Sequence, residues 1–205
     1  MSSGAAVFEA CVARGGVAVF PADTVYGLAC DPQNADAVAR LYEIKGRPPQ
    51  RPAAVMFFGI DAALRELGDD LGERTRGGFE ALLPGGLTLL LANPRGRYPL
   101  ACGPDPSTLG VRVPQVPLLA SVSRPVMQSS ANLSGGANAR RLEDVPPAVL
   151  EAADVVLDGG ELPGTPSTVL DLRAYEGTGE WSVVRMGAVS TDQVARALGA
   201  GAPPR

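Results

Sequence analysis

Val17-Ala18-Val19-Phe20-Pro21-Ala22-Asp23-Thr24-Val25-Tyr26-Gly27-Leu28 is the stretch on which the fold turns. The apolar run Val17 to Phe20 reads as a short buried strand, and Pro21 ends it. Asp23-Thr24 and the Tyr26-Gly27 pair follow at the strand's carboxyl end, where open α/β sheets hold their ligands. The plainer alternative is a β-turn in which Thr24 caps a helix.

Outward from this stretch, apolar and polar segments keep alternating. Val7 to Ala13 reads as a short helix, and Asn34 is placed to cap another from Ala35 to about Ile44, with Val38, Leu41 and Tyr42 on its buried face. Further strands are expected over Ala53 to Phe58, Leu87 to Ala92, Leu109 to Val113, Val126 to Gln128, Val155 to Leu157, Thr168 to Leu172 and Trp181 to Arg185. Further helices are expected over Asp61 to Leu67, Glu73 to Leu83, Leu118 to Ser123, Leu142 to Ala152 and Thr191 to Leu198, with Gly199 to Arg205 a frayed end. Neither a repeat nor a linker interrupts this order. The expectation is one α/β domain with a mixed sheet over residues 1–205.

Composition narrows the function. At 205 residues, with 45% hydrophobic and 20% charged side chains, the chain can bury a full core. Its longest apolar stretches fall well short of the ~20 residues a membrane helix needs. Glu9 and Arg14 interrupt the weakly apolar start, which argues against a signal peptide. Three widely spaced cysteines, Cys11, Cys30 and Cys102, read as reduced thiols in a cytosol. A net charge of −4 argues against a general nucleic-acid coat. The chain has no histidine, which removes Ser-His-Asp and Cys-His nucleophiles and the commonest zinc ligand. Lys45, the only lysine, lies between Ile44 and Gly46, so it belongs to no phosphate-binding P-loop, and no G-x-G-x-x-G follows a strand. What remains is chemistry by positioning and electrostatics.

Five further segments carry polar groups suited to that. Lys45-Gly46-Arg47-Pro48-Pro49-Gln50-Arg51-Pro52 brings three cations off a helix end onto a proline-stiffened stretch. Lys45 there could simply complement the helix dipole, but Arg47 and Arg51 lie beyond the helix, where a polyanion could grip them. Thr108 and Arg112 lie four apart in an extended segment, hence on one face, and an arginine among apolar strand residues needs an anionic partner, from ligand or protein. Gln128-Ser129-Ser130-Ala131-Asn132-Leu133-Ser134-Gly135-Gly136-Ala137-Asn138 is a loop of hydroxyls, amides and glycines that can cradle phosphate or bind a sugar. Pro166-Ser167-Thr168-Val169-Leu170-Asp171 and Val184-Arg185-Met186-Gly187 each add a polar group beside a strand.

In order and spacing these segments resemble the YrdC-domain family, the threonylcarbamoyl-AMP synthases. The resemblance runs from about Gly15 to Val189 through D-T-V-Y-G-L, K-G-R-P, P-G-x-x-T, R-V-P, S-A-N-x-S-G, S-T-V-x-D and R-x-G. It implies a twisted mixed parallel/antiparallel sheet flanked by helices around a concave electropositive cleft. It also implies the formation of threonylcarbamoyl-AMP and pyrophosphate from L-threonine, bicarbonate or CO2, and ATP. Thr24, Arg112 and Ser167 would hold threonine. Arg47, Thr108, Ser130, Asn138 and Arg185 would hold ATP, and Lys45, Arg47, Ser130 and Asn132 match the family's cleft tetrad, with Lys45 and Arg47 as catalytic donors. Mg2+ would arrive on the ATP phosphates with no dedicated protein ligands. A separate transferase complex would pass the group to tRNA, with direct tRNA contact left open.

The chain departs from the usual pattern at four places. Ala22 stands where relatives usually have Thr, and Met56 where some place a threonine-contacting His; both bear on which amino acid is used. Arg51 replaces a frequent Asn that contacts ATP and would instead pair with phosphate, and Gly86 replaces the second Pro of P-G-P. Two competing readings are a non-catalytic RNA-binding or ribosome-maturation module and a related carbamoyl-adenylate enzyme with another acceptor.

Overall fold

The computed structural model describes residues 3–48 and 50–199; the expected frayed end lies, beyond Gly199, outside the described residues. Strands β1 (Ala18–Pro21), β2 (Tyr26–Cys30), β3 (Ala54–Met56), β4 (Leu87–Ala92), β5 (Thr108–Arg112), β6 (Val126–Ser130), β7 (Val155–Val156), β8 (Thr168–Asp171) and β9 (Ser182–Arg185) form one sheet, ordered β7-β1-β2-β6-β3-β5-β4-β8-β9. The sheet is mixed: β1 and β7, β3 and β5, and β4 and β8 pair in parallel, the remaining neighbours antiparallel. Helices α1 (Gly4–Ala13), α2 (Ala35–Lys45), α3 (Ile60–Leu67), α4 (Glu73–Leu82), α5 (Pro99–Cys102), α6 (Pro147–Ala152), α7 (Tyr175–Thr178) and α8 (Thr191–Ala197) flank it.

The strand alternation explains both faces of this sheet. Val19, Leu28, Val55, Leu89, Val111, Met127 and Leu170 share one core with Val38 and Leu41 of α2, Leu67 of α3, Phe79 of α4 and Val149 of α6. Ala18, Phe20, Ala29, Met56 and Val126 form a second core under α1, where the Phe8 ring sits 5.3 Å from Phe20 and 5.6 Å from Phe58. Because β1 is buried on both faces, it reads as an unbroken apolar run. Beyond this second core, Ala54, Leu90, Gly110 and Gln128 line a cavity of about 440 Å³. The register aligns them across the sheet: Ala54 pairs with both Gly110 and Gln128, and Gly110 pairs with Leu90. Two short side chains in the middle of that row, Ala54 and Gly110, leave the floor low.

Several sequence expectations need correction. Thr24 caps no helix; the residues after it return as β2, hydrogen-bonded antiparallel to β1. The helix expected over Leu142 to Ala152 is a 3-10 turn at Leu142–Asp144 and then α6, because Pro146 and Pro147 cannot continue a helix but can start one. Leu118 to Ser123 supplies only the 3-10 turn Pro117–Leu119. The stretch between β4 and β5 holds a short helix, α5, with Pro99 in its first turn, and α7 lies between β8 and β9 where no element was expected. The Asn34 cap is present: its side chain accepts from the Ala37 amide at 3.1 Å.

Candidate active site

Loops and strand ends bring the polar segments to one cavity. Among the expected site residues, Thr24, Arg47, Thr108, Arg112, Ser130, Asn138, Ser167 and Arg185 line it. Lys45, Arg51 and Asn132 do not. Thr88, Asp105, Gln128 and Ser129 also line it, and the sequence reading did not single them out as site residues. Thr88 was visible only as the last letter of P-G-x-x-T, and Ser129 as the neighbour of Ser130.

The α2 terminus sets the first wall. Gly46 takes the left-handed conformation (φ 56°) that ends the helix, and the Arg47 amide bonds back to the Tyr42 carbonyl. This turn sends Arg47 sideways: Nη1 donates to Ser129 Oγ at 3.0 Å and Nη2 to the Pro52 carbonyl at 2.6 Å, while its buried Nε has no partner among the described residues. Lys45, one residue before the turn, points instead into the Ser130–Asn132 loop. Its ammonium donates to the Ser130 carbonyl, to the Asn132 carbonyl at 2.8 Å and to Asn132 Oδ1 at 2.9 Å. Burial, with Arg47 nearby, lowers its pKa to about 8. Asn132 Oδ1 also accepts from Ser130 Oγ at 2.7 Å, and its amide donates to the Gly136 carbonyl, so Asn132 is the knot of the loop. Arg51 is exposed, away from the cavity, and its carbonyl accepts from the Tyr42 hydroxyl at 2.6 Å.

The second wall is built on β5, β4 and β8. Arg112 lies on the cavity side of β5, in line with Gly110 and Thr108. Its Nη2 donates to Asp23 Oδ1 at 2.6 Å and to Thr24 Oγ1 at 3.3 Å, and its Nε has no partner among the described residues. Both members of the pair are buried, Arg112 at 3% and Asp23 at 8% side-chain exposure. Burial pushes the Asp23 carboxyl up, partly offset by Arg112, and burial pulls the Arg112 guanidinium down. The anionic partner that the strand arginine requires is thus a protein carboxylate, and the bond to it leaves Nε unpartnered among the described residues.

Beside it, Thr88 Oγ1 and Ser167 Oγ lie 2.8 Å apart, and Arg185 Nη2 donates to the Ser167 carbonyl at 2.7 Å. Gly187 is required here: a Cβ at that position would fall 2.2 Å from the Pro166 carbonyl. Thr108, at the rim, donates to Asp105 Oδ2 at 2.6 Å and accepts from Arg173 at 3.2 Å. Met56 is fully buried in the α1 core and reaches no cavity surface.

The protein is thus of the α/β class, a mixed sheet flanked by helices with three arginines lining a cavity on one face. The sequence matches the Sua5/YciO/YrdC family, described as "Telomere recombination", over residues 10–187, and the chain belongs to that family. It is 37% identical over 172 residues to the threonylcarbamoyl-AMP synthase of Xanthomonas campestris pv. campestris, covering 80% of this chain and 90% of that protein. The crystal structure of P. abyssi Sua5 complexed with L-threonine superposes with a TM-score of 0.82 at 27% identity over 94% of this chain, which spans 56% of that one. Escherichia coli YciO shares the fold, with a TM-score of 0.77 at 24% identity over 92% of this chain and 91% of that one.

Proposed function

We propose that this chain is an L-threonylcarbamoyladenylate synthase, a nucleotidyltransferase that makes threonylcarbamoyl-AMP from L-threonine, bicarbonate or CO2, and ATP. The observation that carries this reading is the convergence of Arg47, Arg112 and Arg185 on one cavity where, among the described residues, Asp105 is the one lining carboxylate and the buried Arg112 Nε has no partner. The names of the relatives point the same way.

In this reading Arg112 Nε, Thr24 and Ser167 receive the amino acid, the arginine meeting its carboxylate. The amine, once it has lost a proton, captures CO2 as a carbamate. A carbamate oxygen attacks the α-phosphorus of ATP in line, and pyrophosphate leaves. Arg47, Arg185, Thr108, Ser130 and Asn138 bind the nucleotide, and the arginines stabilise charge developing on the phosphoryl oxygens. Lys45 and Asn132 act one step back, by holding the Ser130 loop in place. Among the described residues no group of three His, Cys, Asp or Glu side chains forms a metal site. Mg2+ would arrive with the substrate as Mg·ATP, carried on its phosphates. The product is a labile mixed anhydride, to be consumed by a separate transferase complex that modifies tRNA in the cytosol. No described helix is long and apolar enough to cross a membrane.

The test is to incubate the protein with Mg·ATP, bicarbonate and single amino acids and to measure pyrophosphate. Release that needs both bicarbonate and threonine is expected. No release with any amino acid, alongside tight RNA binding, would contradict the proposal and favour an RNA-binding module.

A further inference from the structure

The three cavity arginines differ in one respect. Among the described residues, the hydrogen bonds of Arg47 and Arg185 go only to hydroxyl and carbonyl oxygens, whereas Arg112 meets a carboxylate, Asp23. The acid that lines the cavity, Asp105, faces Arg173 at 3.8 Å. Arg185 stands on the same wall as Arg112: Val169 of β8 pairs with Thr88 on one side and Arg185 on the other, and Arg185 Nη2 meets Ser167 Oγ at 3.3 Å. Without Asp23 this wall would turn two unopposed positive charges toward one cavity, the pattern that grips a phosphate group. With Asp23 it carries one net charge, and the buried position of the pair keeps solvent from screening it.

We infer that Asp23 determines specificity at this wall, tuning Arg112 to the single carboxylate of a zwitterionic amino acid and against phosphate groups. The inference rests on the synthase reading and adds to it a reason why the two anionic substrates do not exchange places. A phosphate bearing about two charges gains most from an unneutralised pair of arginines, and so is penalised most by a fixed carboxylate. A zwitterion brings its own ammonium, which the Asp23 charge attracts while Arg112 holds the carboxylate. An acid without an amine, such as 3-hydroxybutyrate, lacks that second attraction. Asp23 makes its contact through Arg112 and is a positioning residue; it does not line the cavity.

The test compares the unaltered protein with Asp23→Asn, which keeps the shape and removes the charge, using calorimetry with L-threonine, 3-hydroxybutyrate and inorganic phosphate. The unaltered protein is expected to prefer threonine to 3-hydroxybutyrate by about ten-fold or more, and Asp23→Asn to lose most of that preference while binding phosphate about ten-fold more tightly. An unchanged preference together with unchanged phosphate affinity in a folded Asp23→Asn protein would overturn the inference. If that variant does not fold, equal binding of threonine and 3-hydroxybutyrate by the unaltered protein overturns it. The phosphate arm separates this inference from the synthase reading: a protein that binds no amino acid, yet gains phosphate affinity in Asp23→Asn, contradicts the reading and upholds the role of Asp23.

Discussion

Lys45 and Arg112 are equally buried, each at 3% exposure, yet their surroundings are opposite. Lys45 points its ammonium at three neutral oxygens, all from Ser130 and Asn132, and so fills its three donor positions. Arg112 has a charged partner on one nitrogen and an unpartnered Nε beside it. A buried cation whose donors are all satisfied within the protein is a fastener. One with a donor in reserve, at a cavity wall, can receive a ligand. The only lysine therefore marks the site from behind, and the arginines face it.

The largest effect that would sharpen this contrast is expected at the fastener. Lys45→Met removes the donor from three oxygens and should cost about 3 kcal/mol of stability in urea unfolding, with nucleotide affinity falling because the Ser130 loop loosens. A variant of ordinary stability but no turnover would place the ammonium on the substrate instead. The pH dependence adds a second check. The Lys45 pKa is lowered from its ordinary 10.5 to about 8 in the folded protein. Between those values the unfolded chain holds a proton that the folded one has released, so stability gains from Lys45 as pH rises through that window. The stability difference between the unaltered protein and Lys45→Met should grow by on the order of 1 kcal/mol per pH unit there. A flat difference would mean that the three oxygens keep the lysine charged throughout.

A smaller effect is expected on the other side. Thr88→Val removes the hydroxyl that meets Ser167 Oγ at 2.8 Å. Threonine affinity should fall by roughly three- to ten-fold, about the worth of one hydrogen bond, with ATP affinity nearly unchanged. Equal losses of both ligands would mean that Ser167 does not belong to the amino-acid side.

Much of this was legible in the sequence, for physical reasons. The apolar run at β1 and the Asn34 cap are local signals, and the motif order located eight of the cavity residues. The period of a strand also placed Thr108 and Arg112 on one face. What stayed hidden depends on partners far along the chain. Whether Lys45 faces a phosphate or a loop is settled by residues 130–132, which the fold brings to it. Arg51 sits on the same proline-stiffened stretch as Arg47, but only Arg47 follows the left-handed Gly46 turn into the cavity. β2 was missed because Asp23-Thr24 and Tyr26-Gly27 read as a turn when their pairing with β1 and β6 is not in view. Asp23 looked like part of that turn for the same reason.

The assignment of Arg112 to the amino acid and of Arg47 to the nucleotide is tested most directly by one calorimetric matrix: L-threonine and ATP, each titrated into Arg112→Ala and Arg47→Ala. Arg112→Ala should weaken threonine by about 100-fold and ATP by only a few-fold, and Arg47→Ala should do the reverse. Equal losses of both ligands in Arg112→Ala would contradict the assignment of its open donor to the threonine carboxylate.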